Sequence, residues 1–203
     1  RTRNTEQTHM NPATDQEFLD KYLLNRDSLK AFKNLFSIQS SGSYEKIGTK
    51  LENIGAIRGF NQLQILVVIA DADENPTDRM SEIQLWLSRI AAPSLKKESM
   101  LLPSNSEAGA LESLALKTLS VQDLTCASAY IDCVVRASGS KLNTAQRDKL
   151  KLYAWTSQQE KEPVTNFMRI KSSGQTAIDV SHPAFDPIVE FLKILAISCS
   201  PKS

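Results

Sequence analysis

Apolar residues follow two spacings along this chain, a continuous or alternating one in part of the first half and a helical one throughout the second. From Leu63 to Ala70, Ile65, Leu66, Val67, Val68 and Ile69 follow one another, a β-branched run that suits a strand buried on both faces of a parallel sheet. The run ends at Asp71-Ala72-Asp73-Glu74-Asn75-Pro76, where Asn75 can cap a helix and Pro76 can occupy its first turn. Met80, Ile83, Leu87 and Ile90 carry that helix toward Pro93. Met100-Leu101-Leu102 then predicts a second short strand, and Ser104-Asn105-Ser106 leads into a helix through Leu111, Leu114 and Ala115.

Upstream, Thr14 and Glu17 have the spacing of a capping box, opening a helix with Phe18, Leu19, Tyr22 and Leu23 as its apolar stripe. Leu35-Phe36-Ser37-Ile38 predicts a short strand, Ser40-Ser41-Gly42-Ser43 a turn, and Tyr44, Ile47, Leu51 and Ile54 a helix. Downstream, Leu124, Ala127, Ile131 and Val134 form a helical stripe that stops near Ser138-Gly139-Ser140. Thr144 is the expected cap of a helix through Leu150 and Tyr153, and a last helix from Pro187 carries Ile188, Phe191, Leu192 and Leu195. The reading is an α/β protein with a mostly parallel sheet flanked by helices over residues 1–119, and a helical C-terminal part over 120–203 packed on the same domain.

Composition narrows the function classes. Among 203 residues, Lys+Arg 24 and Asp+Glu 23 leave a net charge of +1, which excludes a polybasic arm or an acidic tail as the main device. The longest unbroken apolar run, Ile65 to Ala70, falls far short of the ~18–20 residues of a membrane span, so a soluble protein is expected. Three cysteines without a CxxC pair indicate neither a disulfide framework nor a zinc ribbon and fit a reducing cytoplasm. Cys126 and Cys133 share one side of a helix and read as buried thiols. His9 and His182, in a polar terminus and before a proline, offer no triad.

Candidate chemistry collects where loops meet the carboxyl ends of parallel strands. Asp71 and Asp73, alternate residues of an extended segment, can converge on one hard cation, with Glu74 as a third acid. The alternative is that Asp73 serves the following helix N-terminus while Asp71 is solvated. Glu112, with Glu107 before it, belongs beside this cluster if Met100–Leu102 is the neighbouring strand; otherwise both acids merely favour a helix dipole. Arg147, Lys149 and Lys151, on the helix with Tyr153 and Trp155, could meet phosphates or form a solvated face.

Ile69-Ala70-Asp71-Ala72-Asp73-Glu74 after an apolar strand resembles the Asp-x-Asp motif of toprim domains. Ser41-Gly42-Ser43-Tyr44 resembles the glycine turn before the second toprim helix. Asn105 through Glu112 is similar to the Asn-x-x-x-Gly-x-Leu-Glu segment of a small uncharacterised bacterial toprim-like family. Asp148–Ala154, His182–Phe185 and Val189–Leu192 look like that family's helical tail. The resemblance implies a toprim-like, Rossmann-like fold and Mg²⁺- or Mn²⁺-dependent phosphodiester chemistry on DNA or RNA, as in phage defence or nucleic-acid processing. Asp71, Asp73 and Glu74 would be metal ligands, Glu112 would orient a second metal or act catalytically, and Lys149 or Lys151 would offset charge on the phosphate.

The chain departs from the toprim pattern at its start. Asn11-Pro12 stands where a strand ending in Glu-Gly is expected, while Asp15 matches the aspartate that opens the first helix. Without that glutamate, a second reading is a non-catalytic toprim-like subunit acting through an ATPase or another copy of the chain. A third is a doubly wound protein that shares only the Asp-x-Asp turn.

Overall fold

The computed structural model describes residues 16–157 and 178–199. Strand β1 (Ile65–Asp71) pairs in parallel with β2 (Lys96–Leu102), in a register that sets Ile65 opposite Lys96 and Asp71 opposite Leu102. A parallel pair needs a crossover, here made by a helix, which we call α2 (Pro76–Ser88); α1 (Glu45–Glu52) precedes β1. Asn75 caps α2 by accepting the Asp78 N–H at 3.2 Å, with Pro76 in the first turn as its sequence predicts. After β2 come α3 (Leu111–Leu116), α4 (Val121–Ser138), α5 (Thr144–Thr156) and α6 (Asp186–Cys199). The described residues therefore form a mixed α/β fold with a small two-stranded parallel sheet. None of its helices is long and apolar enough to cross a membrane.

Alternation along the strands separates two cores. Leu66, Val68, Ala70 and Leu101 meet Ile47 and Leu51 of α1 and Ile83 and Leu87 of α2. Ile69, Met100 and Leu102 face the other way, toward α3, Ala127 of α4, Leu152 and Trp155 of α5, and Ile188 and Leu192 of α6. Phe18 joins this second core, its ring 5.1 Å from that of Phe185, and Arg26 pairs with Asp186 at 2.8 Å beside them. β1 is buried at Val68 and Ala70 but only half-buried at Leu66, Val67 and Ile69, so the expectation of two buried faces is met only at the end of one. The apolar run marks the strand but does not record how well each face is covered.

Other expectations shift. Lys33–Leu35 is a 3₁₀ turn, Phe36 is extended, and residues 36–38 do not join the sheet. Phe36 and Ile38 nevertheless pack on the second core, and the Ile38 carbonyl accepts from the Gln16 side-chain amide at 3.1 Å. Their apolarity serves packing rather than a ladder. The first helix winds as a π-helix over Phe18–Tyr22 and a 3₁₀ turn over Leu23–Asn25; Thr14, Asn11 and Pro12 lie outside the described residues. α3 begins at Leu111, later than the serines suggest, because Asn105 Oδ1 is engaged in accepting the Leu101 N–H at 2.8 Å. α4 turns Ala127 and Ile131 inward and leaves Cys126 and Cys133 exposed, which corrects their reading as buried thiols.

Asn143, not Thr144, caps α5: its Oδ1 accepts the Gln146 N–H at 2.8 Å, and Gln146 Oε1 accepts the Asn143 N–H at 3.1 Å. Losing this reciprocal pair should cost about 1 kcal/mol, so Asn143→Ala is expected to lower the urea midpoint without changing the slope of the transition.

Candidate functional site

β1 ends at Asp71, and the chain then turns through Asp73, whose φ of +52° lies in the left-handed region that Asp and Asn tolerate better than most residues. Main-chain bonds hold that turn against the loop after β2. The Asp73 N–H donates to the Gly109 carbonyl at 2.8 Å, and the Gly109 N–H returns to the Asp73 carbonyl at 2.6 Å. Asp71 Oδ1 accepts the Leu111 N–H at 3.0 Å, engaging the amide that opens α3. The strand end, the loop and the helix start are thus fastened at one corner. Glu112 follows in the first turn of α3 and is only 4% exposed.

Helix α5 closes the corner from the other side. Ser113 Oγ accepts the Ala110 N–H at 3.1 Å and donates to Asp148 Oδ2 at 2.7 Å, joining α3 to α5. The result is a cavity of about 180 Å³ lined by Asp71, Asp73, Glu112, Asn143, Gln146 and Lys149, with Ala110 and Ala145 between them. Lys149 Nζ sits 5.8 Å from the centroid of the Tyr153 ring, and burial together with the charge of Glu112 raises the Tyr153 hydroxyl above its ordinary range. A wider groove of about 340 Å³ between α2 and β2 includes Lys97 and Glu98 but none of these acids.

A cation already faces this corner. Arg79, on α2, pairs through Nη2 with Asp73 Oδ2, and its guanidinium carbon lies 3.5 Å above the centroid of the Tyr44 ring. Tyr44 packs at a tilt against Trp86, ring centroids 5.3 Å apart, and donates its hydroxyl to Glu82 Oε2 at 2.7 Å. Burial first, and then the Glu82 contact, push the Tyr44 phenol up to about 12. An ultraviolet titration should therefore show one tyrosine ionising near pH 12 and lose that transition in Tyr44→Phe. Because the folded state retains this proton above the ~10 of an unfolded tyrosine, the associated stability is complete below that pH and is lost as pH rises through the folded value.

A family model described as "Protein of unknown function (DUF3226)" matches residues 13–196. The chain belongs to the DUF3226 family. No curated protein and no solved structure matches it.

Of the residues singled out from sequence in this DUF3226 protein, Asp71, Asp73, Glu112 and Lys149 come together in one cavity. Glu74 is exposed in the turn and does not line it. Lys151 does not line it either, and instead pairs with Asp148 at 3.3 Å. Glu107 pairs with Lys117 at 3.0 Å and Arg147 with Asp132 at 2.9 Å, both on the surface. His182 accepts the Ala184 N–H through Nδ1 at 3.1 Å as a helix cap. Sequence reasoning missed Arg79, Asn143 and Gln146. The Asn-x-x-Gln capping pattern carried a signal for the last two, whereas Arg79 had none apart from the fold.

Proposed function

We propose that this protein is a toprim-type, divalent-metal-dependent phosphodiester hydrolase acting on DNA or RNA, with Asp71 and Asp73 as ligands of Mg²⁺ or Mn²⁺. The observation that carries this reading is the convergence of Asp71, Asp73, Glu112 and Lys149 on one cavity at the carboxyl end of β1. Among the described residues no three His, Cys, Asp or Glu side chains are grouped to hold a metal ion by themselves. The donor set fits an open site instead: Mg²⁺ is commonly held by one or two carboxylates, keeping waters and substrate phosphate oxygens as its other ligands. Asp73 already pairs with one cation, the guanidinium of Arg79.

When bound, such an ion polarises a phosphoryl oxygen and lowers the pKa of a coordinated water. In this reading Glu112, buried at the cavity wall, would accept a proton from the attacking water. Lys149 offsets the charge that develops on the phosphate. The free cysteines fit a reducing, cytoplasmic setting.

The net charge of +1 favours a second reading, in which the same corner serves a non-catalytic subunit acting through an ATPase or a further copy of the chain. Titration calorimetry with Mg²⁺ and Mn²⁺, beside cleavage assays on single- and double-stranded DNA and RNA, separates the two. Metal binding and cleavage that both disappear in Asp73→Asn support the hydrolase. Asparagine is the apt substitution because it tolerates the positive φ at this position. A chain that neither binds metal nor cleaves, yet holds a stable hetero-complex unaffected by Asp71→Asn, sinks the hydrolase reading.

A further inference from the structure

Arg79 is not an ordinary surface arginine. It is the fourth residue of α2, and helical side chains lean toward the N-terminus of their helix, so it reaches back over the first turn to Asp73, six residues earlier. Its guanidinium lies over the Tyr44 ring, and Tyr44 is itself held by a ring contact with Trp86 and a hydrogen bond to Glu82. Side-chain exposure is 27% for Arg79 and 36% for Asp73, so water reaches the pair without dissolving it. A planar guanidinium stacked on an aromatic face is pre-organised for a carboxylate and loses little freedom in binding one.

Resting on the metal reading above, we propose that Arg79 is an internal counter-cation that competes with the divalent ion for Asp73, and so sets the metal concentration at which the site loads. Two effects act in the same direction. The ion has to share Asp73 with a guanidinium already held on Oδ2 or displace it, and either way that positive charge stays nearby over the Tyr44 ring, where it repels the incoming ion. Arg79 is thereby a positioning residue that tunes occupancy rather than one that touches the reacting atoms.

The test is calorimetric titration of the full chain with Mn²⁺, together with thermal melts at rising Mn²⁺, for the wild type, Arg79→Gln and Arg79→Lys. A partly exposed ion pair of about 1 kcal/mol corresponds to roughly a fivefold change in affinity. Arg79→Gln is therefore expected to bind Mn²⁺ about fivefold more tightly and to show a larger Mn²⁺-induced rise in Tm, with Arg79→Lys nearer the wild type. Arg79→Met, with an unbranched uncharged side chain, provides a second neutral variant should Arg79→Gln fold poorly. Wild type and both neutral variants binding Mn²⁺ with equal affinity, or the neutral variants binding more weakly, would overturn the proposal while leaving the metal reading intact. Failure of the wild type and the neutral variants alike to bind Mn²⁺ overturns both.

Discussion

Asp71→Asn should abolish metal-dependent cleavage while leaving the fold in place. In the proposed hydrolase the carboxylate would be one of the two aspartate ligands at the end of β1, and loss of metal-assisted charge stabilisation would remove several kcal/mol from the transition state. At 1.36 kcal/mol per decade of rate, a fall of about a thousandfold is expected in a cleavage assay under saturating Mg²⁺. The amide oxygen of asparagine can still accept the Leu111 N–H that Asp71 Oδ1 accepts at 3.0 Å, so the start of α3 is kept and Tm should move by no more than about 3 °C, as for a change near 1 kcal/mol in a chain of this size. Cleavage within threefold of the wild type would place the chemistry elsewhere.

The largest loss of stability is expected at Gly109. Its φ of +140° is a backbone conformation that L side chains rarely adopt. A β-carbon there would overlap Ser113 Oγ and approach Pro103 Cδ to 3.1 Å. Ser113 cannot yield cheaply, since its hydroxyl accepts from Ala110 and donates to Asp148. Backbone strain of about 1–3 kcal/mol and overpacking of about 1–3 kcal/mol act together, so Gly109→Ala should destabilise by about 4 kcal/mol and lower Tm by roughly 10 °C. Because the Gly109 main chain also holds Asp73, any remaining folded protein should bind Mn²⁺ more weakly; an unchanged melting curve would show that the loop relaxes freely.

Much of the corner could be read from sequence because its elements are local. The run Ile65–Ile69, the Asn75-Pro76 start and the two strands each leave a short-range pattern, and together they put Asp71 and Asp73 at a strand end. Glu112 and Lys149 were legible as candidates, but their joining required the tie from Ser113 to Asp148 and the capping of α5 by Asn143. Neither tie reflects hydrophobic spacing. Arg79 was invisible for a related reason: on a helix wheel it is one more polar residue, and its meaning comes from Tyr44, which lies 35 residues earlier in the chain. Cys126 and Cys133 were misjudged because helical spacing shows which residues share a side, not which side the core takes.

The tilted ring pair of Phe18 and Phe185 also bears on when this protein can fold. Both rings are fully buried in the core beneath α3 and β2, with Leu23, Ile188 and Leu192 around them. That core draws on the first and last described segments, and contacts between distant parts of a chain form late because loop closure must come first. A nascent chain still lacking α6 would hold Phe18 and Leu23 without their partners, while the α1, α2 and β1 side could already be assembled around Val68 and Ile83. Maturation on the ribosome is thus expected in two stages, with the wall of the cavity formed by α3 and α5 gaining its support only after the last helix has emerged.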